Sequence, residues 1–128
     1  MATGARGEGI IEVGNKEIRV LYTNRALAEA EAQMGKSVLG VAQGFASGSN
    51  QAGITEIAHL LRAGMQAARR DSGERGRPAS MIEAYKVLDQ AGFAAVTAVV
   101  MESIAAVLGY SANGDGSEDD DYDGDDPN

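Results

Sequence analysis

The alternation of apolar and polar residues between positions 8 and 22 predicts a β-hairpin. Two β-rich runs, EGIIEV and KEIRVLY, are separated by Gly14-Asn15. Glycine followed by asparagine favours a two-residue type II′ turn, because glycine adopts the required positive φ without steric cost. This turn predicts a register in which Val13 faces Lys16 and Gly9 faces Val20.

The predicted register gives the hairpin one apolar and one polar face, since successive side chains of a strand point to opposite sides. The apolar face carries Ile11, Val13, Ile18, Val20 and Tyr22, and the polar face carries Glu8, Glu12, Glu17 and Arg19. We expect Ile11, Ile18 and Val20 to be buried, and Glu12 and Arg19 to be solvated. A hairpin is marginal alone, so later elements must cover its apolar face.

Helical periodicity then predicts about five helices, at 25–34, 38–45, 54–70, 81–90 and 93–108. The first has N-cap residues at Thr23 and Asn24 and a terminating Gly35. Ser80 and Glu83 form an S-x-x-E capping box before the fourth helix. The fourth helix is predicted to bury Met81 or Ile82, Tyr85 and Leu88. The fifth is predicted to bury Phe93, Val96, Val100, Ile104, Val107 and Leu108.

These elements predict an α+β domain over residues 8–110, in which an N-terminal β-hairpin packs on about five α-helices. Residues 1–7 are expected to be flexible, and 111–128 to form a disordered acidic tail, because this segment has nothing apolar to bury. Eight of the 19 acidic residues follow Leu108, so the remaining 11 balance the 11 Lys and Arg of the body. A body without basic surplus argues against a nucleic-acid partner.

The chain contains no cysteine, which excludes disulfides and thiolate metal sites. The first residues lack the apolar core of a signal peptide. The longest apolar run, 93–108, is interrupted by Glu102 and too short to span a bilayer. We therefore expect a cytoplasmic protein without a membrane partner.

Few residues offer chemistry. His59 is the only histidine, and its predicted place on the polar side of the third helix favours a solvated side chain over a catalytic one. Glu102 is expected on the exposed side of the fifth helix rather than as a buried acid. No phosphate-binding loop or nucleophile motif is present, so we expect no enzymatic activity and no cofactor.

Two charged segments leave alternatives open. Residues 119–124 match the first half of a calcium loop, but the bidentate glutamate of position 12 would fall beyond Asn128, so no metal site is assigned. Arg69, Arg70, Arg75 and Arg77 could meet phosphate, meet the acidic tail, or solubilise a loop. Without interleaved aromatic residues, nucleic-acid binding is the weaker interpretation.

The order of a hairpin followed by helices resembles the small tail assembly chaperones of tailed phages, particularly the version encoded in gene transfer agents. The resemblance covers residues 8–109, although the Asp-rich extension departs from the family's pattern. The matching segments are GxxxVGNKEIRVLY, NRALAEAEAQMGKSV and ITEIAHLLRAGM, together with the Ala-rich helices of 81–108.

The resemblance implies a non-enzymatic protein of the bacterial host cytoplasm. Such a chaperone would bind the long apolar helices of the tape measure protein and help recruit tail tube protein subunits; self-association stays open. One alternative is a minor structural protein of the phage tail, such as a tube or completion component. Another is an acidic regulator or nucleic-acid mimic that acts through its tail.

Overall fold

The computed structural model describes residues 7–47, 53–73 and 76–109. Over these residues the chain has the predicted α+β fold, an antiparallel hairpin packed on five helices. The strands are β1 (Glu8–Val13) and β2 (Lys16–Leu21). The helices are α1 (Asn24–Met34), α2 (Val38–Ser47), α3 (Ile54–Asp71), α4 (Met81–Ala91) and α5 (Phe93–Leu108). The predicted tail and residues 1–6 of the predicted flexible N-terminus lie outside the described residues.

The hairpin has the predicted register. Val13 pairs with Lys16 and Gly9 with Val20, and Gly14 opens the turn with φ of +61°. The backbone N–H of Tyr22 donates to the carbonyl oxygen of Gly7 at 2.7 Å, so the pairing continues one residue beyond β1. Gly14-Asn15 therefore sets which side chains share a face, as predicted.

The predicted burial of the hairpin is confirmed in part. Ile11 and Val20 are buried and Glu12 is exposed. Ile18 is only partly buried, and Arg19, which we expected to be solvated, is also partly buried. The expectation for Arg19 is wrong because its long side chain reaches the end of α3, as described below.

Helix α3 is the centre of the fold. It contacts β2, α1, α4 and α5, so apolar residues around most of its circumference are buried. Ala63, one turn after His59 on the side predicted to be polar, is buried, whereas Ile54 at the first helical position is 60% exposed. The remaining core comes from the inner hairpin face and from α5, whose Val96, Val100 and Ile104 are fully buried. Alanine-rich packing lets these elements approach closely.

Tyr22 joins the hairpin to α3. Its side chain is 1% exposed, and its hydroxyl donates to the carbonyl oxygen of Leu60 at 2.8 Å. Burial raises the pKa of this phenol far above its ordinary value, so the hydroxyl stays a donor. The ring lies against Gly64, where a side chain would overlap it. Gly64 is therefore required by packing rather than by backbone conformation.

The predicted helix caps are present. Thr23 Oγ1 accepts from Ala26 N at 3.0 Å, and Ser80 Oγ accepts from Glu83 N at 3.1 Å. Gly35 ends α1 in the left-handed conformation, with φ of +71°. Of the predicted Ser80–Glu83 capping box, the Ser80 half is present, whereas the Glu83 carboxylate accepts a hydrogen bond from Arg69, which sets the approach of α4 to α3. The second helix gains a further cap, because Glu31 of α1 accepts from Val38 N at 2.8 Å.

Glu56 fixes the start of α3. One carboxylate oxygen accepts from the backbone N–H of Gly53 at 2.9 Å, and the other forms an ion pair with Lys36. The hydrogen bond from Lys36, and then that from Gly53, holds the pKa of Glu56 below its ordinary value. The ionised carboxylate therefore stabilises the fold.

We expect Glu56→Gln to lower the free energy of unfolding by about 0.5–1.5 kcal/mol at neutral pH. A carboxyl whose pKa is lower in the folded state than in the unfolded state stabilises the folded protein. This stabilisation is complete at pH values above the pKa of the unfolded state, and it is lost as the pH falls through the pKa of the folded state. The gap between variant and wild type should therefore narrow as the pH falls below about 4. Urea unfolding at a series of pH values checks this, and a gap that is constant with pH would contradict it.

Candidate functional site

Helix α4 presents large apolar side chains to solvent. Ile82 is 70% exposed and Tyr85 is 38% exposed, and Phe93, the first residue of α5, is 39% exposed. We refer to these three residues, two on α4 and one at the start of α5, as the α4 apolar surface. The sequence predicted that Tyr85 and Phe93 would be buried, and it allowed the same for Ile82. The expectations for Tyr85 and Phe93 are wrong, whereas of the alternatives Met81 and Ile82 it is Met81 that packs, partly buried, against the core.

The buried face of α4 is formed by smaller residues than predicted. Ala84, Val87 and Leu88 are buried against the core. This face includes the predicted Leu88, but Ala84 lies against the domain where Tyr85 was expected. Because alanine lets α4 approach its neighbours closely, the larger Ile82 and Tyr85 turn outward.

The segment before α4 is tied to α3 by polar contacts. Gln66 Oε1 accepts from Ala79 N at 2.7 Å, and Arg69 donates to the carbonyl oxygen of Arg77 at 3.0 Å. Arg69 also pairs with Glu83 at the start of α4. These contacts hold α4 on the body, so that the exposed face of α4 is presented by an anchored helix.

The same contacts account for part of the arginine group noted in the sequence. Arg69 is engaged with Glu83 and the Arg77 carbonyl, and Arg70 lies 3.7 Å from a carboxylate oxygen of Glu29. Arg75 and the acidic tail lie outside the described residues. Arg69 and Arg70 thus serve contacts within the domain, which weakens the phosphate-binding interpretation of this group.

Helix α5 has the predicted polar and alanine-rich side. Glu102 is exposed, together with Ala95, Ala98 and Ala106, whereas Ala105 is partly buried. The prediction that Glu102 is not a buried acid is confirmed. On the opposite side, the hydroxyl of Thr97 is buried without a hydrogen-bond partner among the described residues.

His59 is less solvated than the sequence indicated. His59 is partly buried, and its Nδ1 atom is buried without a hydrogen-bond partner among the described residues. The Nε atom of Arg62, one turn later on the helix, is likewise buried without such a partner. Both side chains lie on α3, which is packed on more sides than its periodicity predicted.

Arg19 joins the hairpin to the last turn of α3. Its Nε lies 2.7 Å from a carboxylate oxygen of Glu8, and its Nη2 lies 2.7 Å from one of Asp71. Its Nη1 donates to Ser72 Oγ at 2.9 Å and to the Ala68 carbonyl at 3.4 Å. The bonds to Asp71 and then Glu8 raise the pKa of this guanidinium. The side chain therefore acts as a structural link.

We expect Arg19→Ala to lower the free energy of unfolding by about 1–3 kcal/mol, because it removes the cation facing the nearly buried Glu8 carboxylate. Arg25→Ala is the control. Arg25 is 71% exposed and pairs with Glu29 within α1, so its loss should cost less than about 0.5 kcal/mol. Urea denaturation of both variants measures the difference. Equal effects would contradict the structural role of Arg19.

The described part of the chain contains neither a cluster of metal-ligating side chains nor a single helix fit to cross a membrane. No group of three or more His, Cys, Asp or Glu side chains there is arranged to hold a metal ion, and the calcium-like segment 119–124 lies outside it. No single helix in these ranges has the length and apolar character needed to cross a membrane. Helices α4 and α5 have that length and apolar character only when they are taken together, and the chain bends by 115° between them.

Comparison of the chain with protein-family models, curated proteins and solved structures gives no match. The candidate site therefore depends on geometry. Its principal feature is the α4 apolar surface, which hydrophobic periodicity placed in the core. Ala84 was the signal for the correct orientation of α4, because a small residue in an apolar stripe permits close helix packing.

Proposed function

We propose that this protein is a non-enzymatic tail assembly chaperone that binds the tape measure protein and helps recruit tail tube subunits during phage or gene transfer agent tail assembly. The observation that carries the proposal is the α4 apolar surface. Exposed apolar side chains on an anchored helix suit an apolar helical client, because association removes both apolar surfaces from water.

The local sequence resemblance gives independent support. The segments that resemble the chaperone family span the hairpin, α1 and α3, and the Ala-rich segment forms α4 and α5. The order of a hairpin followed by five helices, on which the resemblance depends, is kept over the described residues. The proposed place of action is the bacterial host cytoplasm, where tape measure and tube subunits are made.

The energetics are suited to transient binding. Full burial of one large apolar side chain contributes about 1.5–3 kcal/mol, and Tyr85 and Phe93 are already more than half covered. Three such side chains therefore supply only part of the free energy of a tight complex, once the loss of translational freedom is counted. A client with many apolar turns would be coated by several weakly held copies and released during assembly.

Co-expression with the long tape measure protein of the same gene cluster tests the proposal. We expect the tape measure protein to become soluble and to elute with this chain from a size-exclusion column. An equally soluble tape measure protein without this chain, and no joint elution, would contradict chaperone function.

The principal alternative is a minor structural protein of the tail, and purified particles distinguish it from the proposal. A chaperone is expected to be absent from the finished particle, since tube subunits then cover the surface of the tape measure protein to which it was bound. A fixed number of copies per particle would support the structural alternative instead.

A further inference from the structure

Strand β1 has an outer edge that no other described strand covers. The sheet contains two strands, and the bond from Tyr22 N to Gly7 O shows that the odd-numbered residues of β1 exchange hydrogen bonds with β2. The backbone N–H and C=O groups of Ile10 and Glu12 consequently point away from β2. Outward-pointing groups of this kind are the template for adding a strand.

A groove follows this edge. It has a volume of about 460 Å³ and is lined on one side by residues of β1, including Ile10 and Glu12. The other side is a stripe along two turns of α5, formed by Val99, Glu102, Ser103 and Ala106. Gly9 makes this arrangement possible, since an added Cβ would lie 2.5 Å from Ser103 Oγ and 2.9 Å from Val99 Cγ1. Helix α5 is thereby held beside the strand.

The charge of the groove selects its occupant. Among the described residues, the groove is lined by Glu12, Glu17 and Glu102 together with Glu8, whose carboxylate is paired with Arg19, and no described lysine or arginine lines it. Like charges placed opposite each other on adjacent strands are destabilising. A second copy paired antiparallel through β1 and centred on Ile10 would bring Glu12 opposite Glu8, close to the like-charge pair that Glu12 already forms with Glu17. The acidic C-terminal tail of the chain carries the same sign.

We propose that this groove binds an extended segment of a partner protein, in which basic residues alternate with small apolar residues, as an added strand on β1. Main-chain hydrogen bonds to Ile10 and Glu12 would align the segment. Alternate side chains of a strand point to opposite faces, so one set would lie beside Glu12 and Glu17 on the hairpin wall and the other beside Val99, Glu102 and Ala106 on the α5 wall. The groove is separate from the α4 apolar surface, and the inference does not depend on the proposed chaperone function.

A labelled synthetic peptide of alternating lysine and valine, with blocked ends, provides the probe. We expect it to bind the full-length protein, and affinity should fall with added salt because the charges are exposed. The same peptide with glutamate in place of lysine should not bind. No binding of the lysine peptide, or equal binding of both peptides, would overturn the proposal.

Charge variants locate the site. Glu12→Lys and Glu102→Lys, on opposite walls of the groove, should each weaken binding about fivefold, which corresponds to about 1 kcal/mol. Asp89→Lys is the matched control, since Asp89 is exposed on α4 and does not line the groove. It should change affinity less than about twofold. Equal weakening by all three variants would show only a general effect of net charge and would overturn the proposal.

Amide hydrogen exchange tests strand addition without a variant. The amides of Ile10 and Glu12 should become protected when the lysine peptide binds, because they would then donate to its backbone. Binding without this protection would overturn the proposal. Sedimentation should give the same oligomeric state for the wild type and for Glu12→Lys. A wild-type dimer that Glu12→Lys disrupts would overturn the proposal, because the groove would then bind a second copy of the chain.

Discussion

Replacing Gly64 with alanine is expected to lower the free energy of unfolding by about 2–4 kcal/mol, although the same change in an exposed helix usually stabilises it by about 1 kcal/mol. The added Cβ would lie 2.6 Å from both Cζ and the hydroxyl oxygen of Tyr22. The ring cannot move aside readily, because Tyr22 is buried and its hydroxyl is bonded to the Leu60 carbonyl. Relief therefore requires α3 and the hairpin to separate.

Urea unfolding of Gly64→Ala measures this cost. Gly40→Ala is the control, because Gly40 is an exposed helical residue whose added Cβ would meet only ordinary contacts with Ser37. It should be neutral or stabilising. The cost of Gly64→Ala should also shrink when Tyr22 is first replaced by leucine, which removes the overlapping atoms. A Gly64→Ala variant as stable as the wild type would contradict the described contact.

Replacing the three residues of the α4 apolar surface with serine is expected to abolish retention of the tape measure protein in the soluble fraction. The substitutions remove the large exposed apolar side chains of α4 and of the first residue of α5. They should also lower the free energy of unfolding of the chain by about 1–3 kcal/mol, because Tyr85 and Phe93 are more than half covered and lose that packing. Soluble tape measure protein after co-expression is the readout, with thermal unfolding of the isolated variant alongside.

The matched control is Leu39→Ser together with Ile54→Ser. These residues are exposed to a similar degree, at 43% and 60%, but lie on α2 and the start of α3. The control variant should keep the client soluble. If both variants lose the client equally, exposed apolar area in general is responsible and the α4 apolar surface is not the binding site.

Local sequence signals were sufficient for the elements and their limits. Gly14-Asn15 determined the hairpin register, and Thr23, Gly35 and Ser80 marked helix ends, because each acts through its own backbone neighbours. Glycine at a turn and a hydroxyl at an N-cap need no tertiary information. The fold class followed from these signals.

The sequence was a poorer guide to which side of each helix faces the core. In α4, both Tyr85 and Ala84 belong to apolar stripes that contain Leu88, and hydrophobicity alone favours the larger side chain. Arg19 illustrates a second limit, since its partner Asp71 is 52 residues away in the sequence. No local pattern encodes that contact. The groove beside β1 was likewise hidden, because it requires α5 to lie next to a strand many residues earlier.

The most direct test of the account is amide hydrogen exchange on this chain alone and in complex with the co-purified tape measure protein. Chaperone binding through the α4 apolar surface predicts slower exchange across residues 81–93 in the complex, with little change in α1. A stable complex in which 81–93 exchanges as fast as in the free chain would contradict the account, as would the absence of any complex.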